Sequence, residues 1–255
     1  MVSDHVGAMN AKTLSRSQRS CFRLKLVQIQ PMRYRLALVL NTLFYPLTFP
    51  DVVDSLNSRK FVARSTTTIP PGVRNYVGGT IATKEDVTVD LDPERKIVAT
   101  ESKNVDNLVR IFHEVMQILH EDYGLNVDES TDYVELGASV LIKSKGIARE
   151  KIEGLFSDAS TFLKLRDVLG FDPVVRSFTI GQKDKPPESK EYVEMVVNYR
   201  VTVKDTYYIE AIYRHTAIAE AVRFAKSINS KTEGLVGLME SMGQIAQTRK
   251  KGSRA

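Results

Sequence analysis

Along residues 190–214 the apolar positions Val193, Met195, Val197, Tyr199, Val201 and Val203 alternate with Glu194, Asn198, Arg200, Thr202 and Lys204. That period of two is the pattern of a strand with one buried face. Asp205-Thr206 then signals a turn, and a second β-rich run from Tyr208 to Arg214 follows. The segment predicts a long antiparallel hairpin in the middle of a sheet. Loop length decides its register. A three-residue loop, Asp205 to Tyr207, sets Val203 opposite Ile209, Val201 opposite Ala211 and Tyr199 opposite Tyr213. A two-residue loop sets Val201 against Glu210 and Val197 against Arg214, which mixes the faces. The prediction is the three-residue loop, with Glu194, Arg200, Glu210 and Arg214 together on the polar face.

The same alternation runs through Met32, Tyr34, Leu36, Leu38 and Leu40, inside the most apolar part of the chain, residues 36–49. Asn41 and Pro46 interrupt this run, which falls short of the roughly 20 apolar residues that a spanning helix needs. Buried strands are the expectation, with membrane association of 36–49 as the alternative; integral insertion is not expected. A hairpin is predicted around Asp92-Pro93-Glu94-Arg95, between Val87-x-Val89-x-Leu91 and Ile97-Val98. A helix follows over 104–123, where Val105, Leu108, Ile111, Phe112, Val115, Met116 and Leu119 form one stripe and Gly124 supplies a left-handed stop. Residues 132–143 read as a strand and 147–169 as helix broken near Ser157-Asp158. Residues 174–180 read as a further strand, and 216–228 and 232–247 as two helices. The loop 64–80 carries Pro70-Pro71-Gly72 and Gly78-Gly79 but no phosphate-loop spacing.

These elements predict the α+β class: a mostly antiparallel sheet with amphipathic helices packed on one side. Strictly alternating βα units are absent, which argues against a doubly wound sheet. A hairpin followed at once by an amphipathic helix occurs at 86–123 and again at 190–228, a repeated topology without residue-level identity.

Charge changes the picture of the ends. The formal net charge of +5 is unevenly placed. Residues 1–35 hold seven basic residues and one acid, residues 249–255 hold four basic residues, and residues 36–248 hold 25 basic against 30 acidic. The expected organisation is a flexible basic arm over 1–20, one α+β domain over 21–248 with a subdivision point near 144–147, and a basic tail over 249–255. Met1, Met9 and Met32 are all candidate starts. The single cysteine, Cys21, excludes an intrachain disulfide and a cysteine-rich metal site, and favours a reducing, cytoplasmic setting.

Candidate chemistry is sparse. His113 and His120 share a helix face with Gln117, but seven residues put them about 10 Å apart along the axis, too far for one ion, and HExxH is absent. No GxSxG elbow or nucleotide loop occurs, and Cys21 has no identifiable base. No metal or cofactor is expected. The leading reading is a soluble intracellular protein that acts by binding a protein partner or itself, leaning away from catalysis. Two alternatives stand beside it. One is nucleic-acid binding through Arg16, Arg19, Arg23, Lys25, Arg249, Lys250 and Lys251, with the tyrosine-rich hairpin as a stacking surface. The other is an enzyme that uses Glu194 or Glu210 with a neighbouring tyrosine. The candidate ligand-binding residues of the hairpin are Glu194, Arg200, Glu210 and Arg214.

Overall fold

The computed structural model describes residues 28–42, 52–63, 79–156, 159–200 and 202–252. The strands are β1 (Ile29–Leu40), β2 (Val62–Ala63), β3 (Gly79–Lys84), β4 (Val87–Asp92), β5 (Ile97–Ser102), β6 (Thr131–Lys143), β7 (Ser177–Gly181), β8 (Tyr192–Arg200) and β9 (Val203–His215). The helices are α1 (Val52–Ser58), α2 (Val105–Glu121), α3 (Val127–Ser130), α4 (Ala148–Leu155), α5 (Ala159–Leu169) and α6 (Ile218–Gly252). All nine strands join one antiparallel sheet in the order β2-β3-β4-β5-β1-β6-β9-β8-β7. This is the α+β class that the sequence predicts.

Strand alternation decides which face is covered. Tyr34, Leu36, Leu38 and Leu40 of β1 and Val134, Leu136, Val140 and Ile142 of β6 are buried on one face. Leu108, Ile111, Phe112, Val115 and Leu119 of α2 and Ala221, Ala225 and Ile228 of α6 close over them. Each large apolar side chain so enclosed stabilises the fold by about 2 kcal/mol. A polar pin holds α6 in place: the Tyr34 hydroxyl, fully buried, donates to Asn229 Oδ1 at 2.5 Å. Burial pushes the Tyr34 phenol above its ordinary value. At the ends of α2, Asn104 Oδ1 accepts from the N–H groups of Asp106 and Asn107 at 2.9 and 3.3 Å. Gly124, at φ 65°, lets its own N–H reach His120 O and that of Leu125 reach Leu119 O, both at 3.0 Å.

The repeated topology is larger than a hairpin and a helix. Counting outward from the β1–β6 seam, the first half of the chain contributes β1, β5, β4 and β3, and the second half β6, β9, β8 and β7. In chain order each half is a long strand, a helical segment, three strands and a closing helix, the first half adding the two-residue β2 before its three. The antiparallel seam relates the two halves by an approximate two-fold axis.

Three features differ from the sequence reading. First, the hairpin closes between Arg200 and Val203, which lie opposite each other, and not at 205–207. Tyr199 faces Tyr207, Val197 faces Ile209 and Met195 faces Ala211. The apolar face is the predicted one, but the register is displaced. The cause is β6: it pairs continuously with β9 from Lys143–Thr206 to Val134–His215, and Ser144 N donates to Asp205 O at 2.7 Å. Residues 204–206 therefore belong to a strand whose partner is β6, and the shift in register between Tyr199 and Arg200 absorbs them. Second, α6 is one helix where two were predicted. The polar residues that read as a break are used within it: Thr232 Oγ1 donates to Ile228 O at 3.0 Å, and Asn229 receives Tyr34. Third, β3 is not predicted: only its first two residues fall in the 64–80 loop, and 81–84 carry no predicted element. Cys21, residues 43–49 of the apolar run 36–49 and residues 64–78 of the 64–80 loop lie outside the described residues.

Candidate functional site

The face of the sheet opposite α2 and α6 carries the other parity of each strand. On β1 it presents Arg33 and Arg35. On β6 it presents Tyr133, Glu135, Gly137 and Ser139, on β9 Tyr208, Glu210, Ile212 and Arg214, and on β8 Tyr192, Glu194 and Val196. A depression of about 430 Å³ lies here, lined by Arg33, Arg35, Glu135, Gly137, Ser139, Glu194, Val196, Glu210 and Ile212. Gly137 explains its position. It sits between Arg35 on β1 and Ile212 on β9, and a Cβ built on it would meet nothing within 4 Å. One missing side chain in β6, the neighbour of the central strand β1, opens a floor.

The walls carry opposite charge. Arg33 and Arg35 stand on β1, whereas Glu210 and Glu194 stand on β9 and β8. Strand spacing puts these walls about 10 to 14 Å apart. Several of the charges are already engaged. Arg33 pairs with Glu101 at 2.6 Å. Arg214 Nε donates to Glu135 Oε2 at 2.5 Å and its Nη1 to Pro187 O at 2.5 Å, with the guanidinium 5.6 and 5.9 Å from the ring centres of Tyr133 and Tyr192. The Tyr192 hydroxyl donates to Glu194, and the Tyr208 hydroxyl donates to Glu210 at 2.9 Å. The bond to Glu194 raises the Tyr192 phenol above its ordinary value. Arg35 makes no salt bridge among the described residues.

The hairpin residues named from sequence are thus only partly together. Glu194 and Glu210 line the depression. Arg214 adjoins it but is held by Glu135 of β6 and by neither hairpin carboxylate. Arg200 lies at the far end of β8, six residues from Glu194, a span of about 20 Å. Arg16, Arg19, Arg23 and Lys25 lie outside the described residues; Arg249, Lys250 and Lys251 fall in the last turns of α6, their side chains undescribed. Sequence reasoning missed Arg33, Arg35, Glu135 and Gly137. They come from β1 and β6, and only the sheet order brings those strands beside the hairpin.

Other chemistry is thin. No group of three or more His, Cys, Asp or Glu side chains among the described residues is placed to hold a metal ion. His113 Nδ1 lies 2.7 Å from Val109 O and His120 Nδ1 3.2 Å from Leu125 O, so each imidazole engages its own helix or the turn after it. Beside the depression the Tyr192 and Tyr208 protons are both committed to carboxylates. What the arrangement offers is a cation, two carboxylates and an apolar floor edge, suited to holding a ligand with both charges. Among the described residues no helix is long and apolar enough to cross a membrane. No protein-family model matches the chain, and no curated protein matches it.

Proposed function

We propose that the protein is a binding module without a catalytic step of its own, whose recognition surface is the face of the sheet opposite α2 and α6. The observation that carries this reading is the glycine-floored depression between Arg35 and the Glu194–Glu210 wall. A segment of a protein partner bearing a carboxylate and an ammonium or guanidinium fits it by charge: the carboxylate to Arg35, the cation to Glu194 and Glu210. The volume, about 430 Å³, lies within the usual range for a ligand pocket, roughly 300–1,000 Å³.

The test is NMR titration of the full chain with short peptides of the form Lys-Ala-Glu and Glu-Ala-Lys, beside all-acidic and all-basic controls. Mixed-charge peptides are expected to perturb the amides of β1, β6 and β9 around Gly137, and Arg35→Ala with Glu210→Gln to abolish the effect. Perturbations confined to other faces, or insensitive to that pair of substitutions, overturn the reading.

A second reading, contact with nucleic acid through the basic ends, is favoured by where the N-terminal arm joins the sheet. Gln28 O accepts from Lys143 N at 3.4 Å, beside the end of the hairpin where Arg200 and Lys204 lie. Affinity for a random oligonucleotide that falls steeply with salt, and falls again on removing 1–27 and 249–255, is its expected signature.

A further inference from the structure

Salt bridges account for most arginines in the described part of the chain. Eleven arginine side chains are described, and Arg33, Arg59, Arg95, Arg110, Arg149, Arg166, Arg214 and Arg223 each lie within 4.0 Å of a carboxylate. Arg35, Arg176 and Arg200 do not. Arg35 belongs to the depression described above. Arg176 and Arg200 line a different cavity, of about 550 Å³, between α4 and the tip of the β8–β9 hairpin. Lys204, also without a salt bridge among the described residues, lines the same cavity.

The fold brings these three cations together from separate elements. Arg176 immediately precedes β7, one position beyond the Ser177–Asn198 pair, which sets it beside Tyr199. Arg200 closes β8 and Lys204 opens β9. Three like charges at one mouth repel one another, and the described body of the chain is rich in carboxylates that the fold pairs elsewhere. On the opposite wall Arg149 is neutralised by Glu153 at 2.7 Å, leaving Glu150 as the free acid. The cavity is therefore cationic at the hairpin end. Its remaining walls are less polar: Tyr199 is half-buried against the core, and Ile147 and Val174 are 40% and 43% exposed. An aromatic ring and two exposed aliphatic side chains beside unpaired guanidinium groups fit a ligand with a planar apolar part and a phosphate.

We infer that the cavity between α4 and the β8–β9 tip is a second binding site, which takes a phosphate-bearing ligand of mononucleotide size. Arg176, Arg200 and Lys204 hold the phosphate, and the planar group lies against Tyr199 between Ile147 and Val174. This site is independent of the depression around Gly137, so either reading stands if the other fails. The phosphate has two candidate sources, a free nucleotide and the backbone of a single-stranded nucleic acid.

Calorimetric titration of the full chain at about 50 mM salt, where phosphate contacts are strongest, separates the outcomes. The probes are adenosine monophosphate, adenosine, inorganic phosphate and an oligothymidylate. Saturable binding of adenosine monophosphate, tighter than that of phosphate or adenosine, assigns the free nucleotide. Oligothymidylate binding about tenfold tighter per site than the mononucleotide assigns the backbone. In either case Arg176→Ala with Arg200→Ala weakens binding by about tenfold or more, Lys204→Glu does so independently, and Arg95→Ala in the distant β4–β5 turn leaves it unchanged. Near-UV circular dichroism confirms that each variant is folded. No saturable binding of any phosphate probe, or equal binding by the folded double variant, overturns the inference.

Discussion

Arg214 Nε on β9 donates to Glu135 Oε2 on β6 at 2.5 Å, so the ion pair spans the boundary between the hairpin and the centre of the sheet. Both side chains are about three-quarters buried, and the same guanidinium reaches Pro187 O. Arg214→Ala is expected to lower stability by about 2 kcal/mol, since it leaves Glu135 unpaired at a largely buried site. Arg214→Lys should recover less than half of that, because an ammonium cannot serve both acceptors while lying between Tyr133 and Tyr192. Urea midpoints of the two variants and of Glu135→Ala check the claim; strictly additive effects in the double variant would refute the coupling.

A buried carboxylate joins α4 to α6. Glu240 is 6% exposed; its Oε1 accepts from Ser144 Oγ at 2.6 Å and Tyr207 Oη at 3.2 Å, and Lys151 Nζ lies 3.8 Å from Oε2. Glu240→Leu alone strands the Lys151 ammonium and should cost roughly 3–5 kcal/mol. Pairing it with Lys151→Met should return most of the loss, measured by thermal and urea unfolding. A double variant no more stable than Glu240→Leu would mean that the hydrogen bonds to Ser144 and Tyr207, and not the charge pair, hold this junction.

Acid should loosen the contact between α1 and α2. Arg59, just after α1, donates to Asp122 Oδ2 at 2.6 Å and to Glu121 at 2.8 Å, and the Arg59 hydrogen bond holds the Asp122 carboxyl below its ordinary value of 3.8. A carboxyl depressed in the folded state stabilises it above the unfolded value, and the contribution fades as pH falls through the lower, folded value. The stability gap between the native protein and Asp122→Asn should therefore be constant above about pH 5 and shrink below about pH 4. Urea midpoints across pH 2–6 measure it, and a gap that persists to pH 2 would contradict the assignment.

Substitution at Gly137 tests the proposed binding apart from folding. Its Cβ position is empty, and no positive φ demands glycine there. Gly137→Ala is expected to be neutral or to stabilise the strand by up to about 0.5–1 kcal/mol. Gly137→Leu should fold, fill the depression and remove peptide-induced shifts around β1 and β9. Retained binding in a folded Gly137→Leu protein would relocate the recognition surface.

Local signals in the chain were read well where their partners are also local. The α2 stripe, the Gly124 stop and the turn around Asp92–Arg95 depend on residues a few positions apart, and all three are present. The two faces of the 190–214 hairpin were equally legible, because parity survives any even shift. Register was not, because β6 and not the turn sequence decides where β9 begins. The same reason hid half of the depression. Glu194 and Glu210 announced themselves as polar positions in an alternating run, whereas Arg35 and Gly137 gain meaning only when β1 and β6 lie side by side at the centre. Arg176 carried no local signal, standing in an irregular segment until the fold set it beside Tyr199 and Arg200.

The seam between β1 and β6 has a consequence for biosynthesis. When translation has passed Glu121 the first half possesses β1, β3, β4, β5 and α2, yet the outer edge of β1 has no partner until β6 is made. That edge runs for 12 residues and belongs to a strand that also carries Leu36, Leu38 and Leu40. An unpaired apolar strand of this length is a template for another nascent chain. The interval in which residues 122–143 emerge from the ribosome is accordingly a period of aggregation risk, and crowded polysomes or slow codons in that interval should lower the yield of a protein whose finished fold is sound.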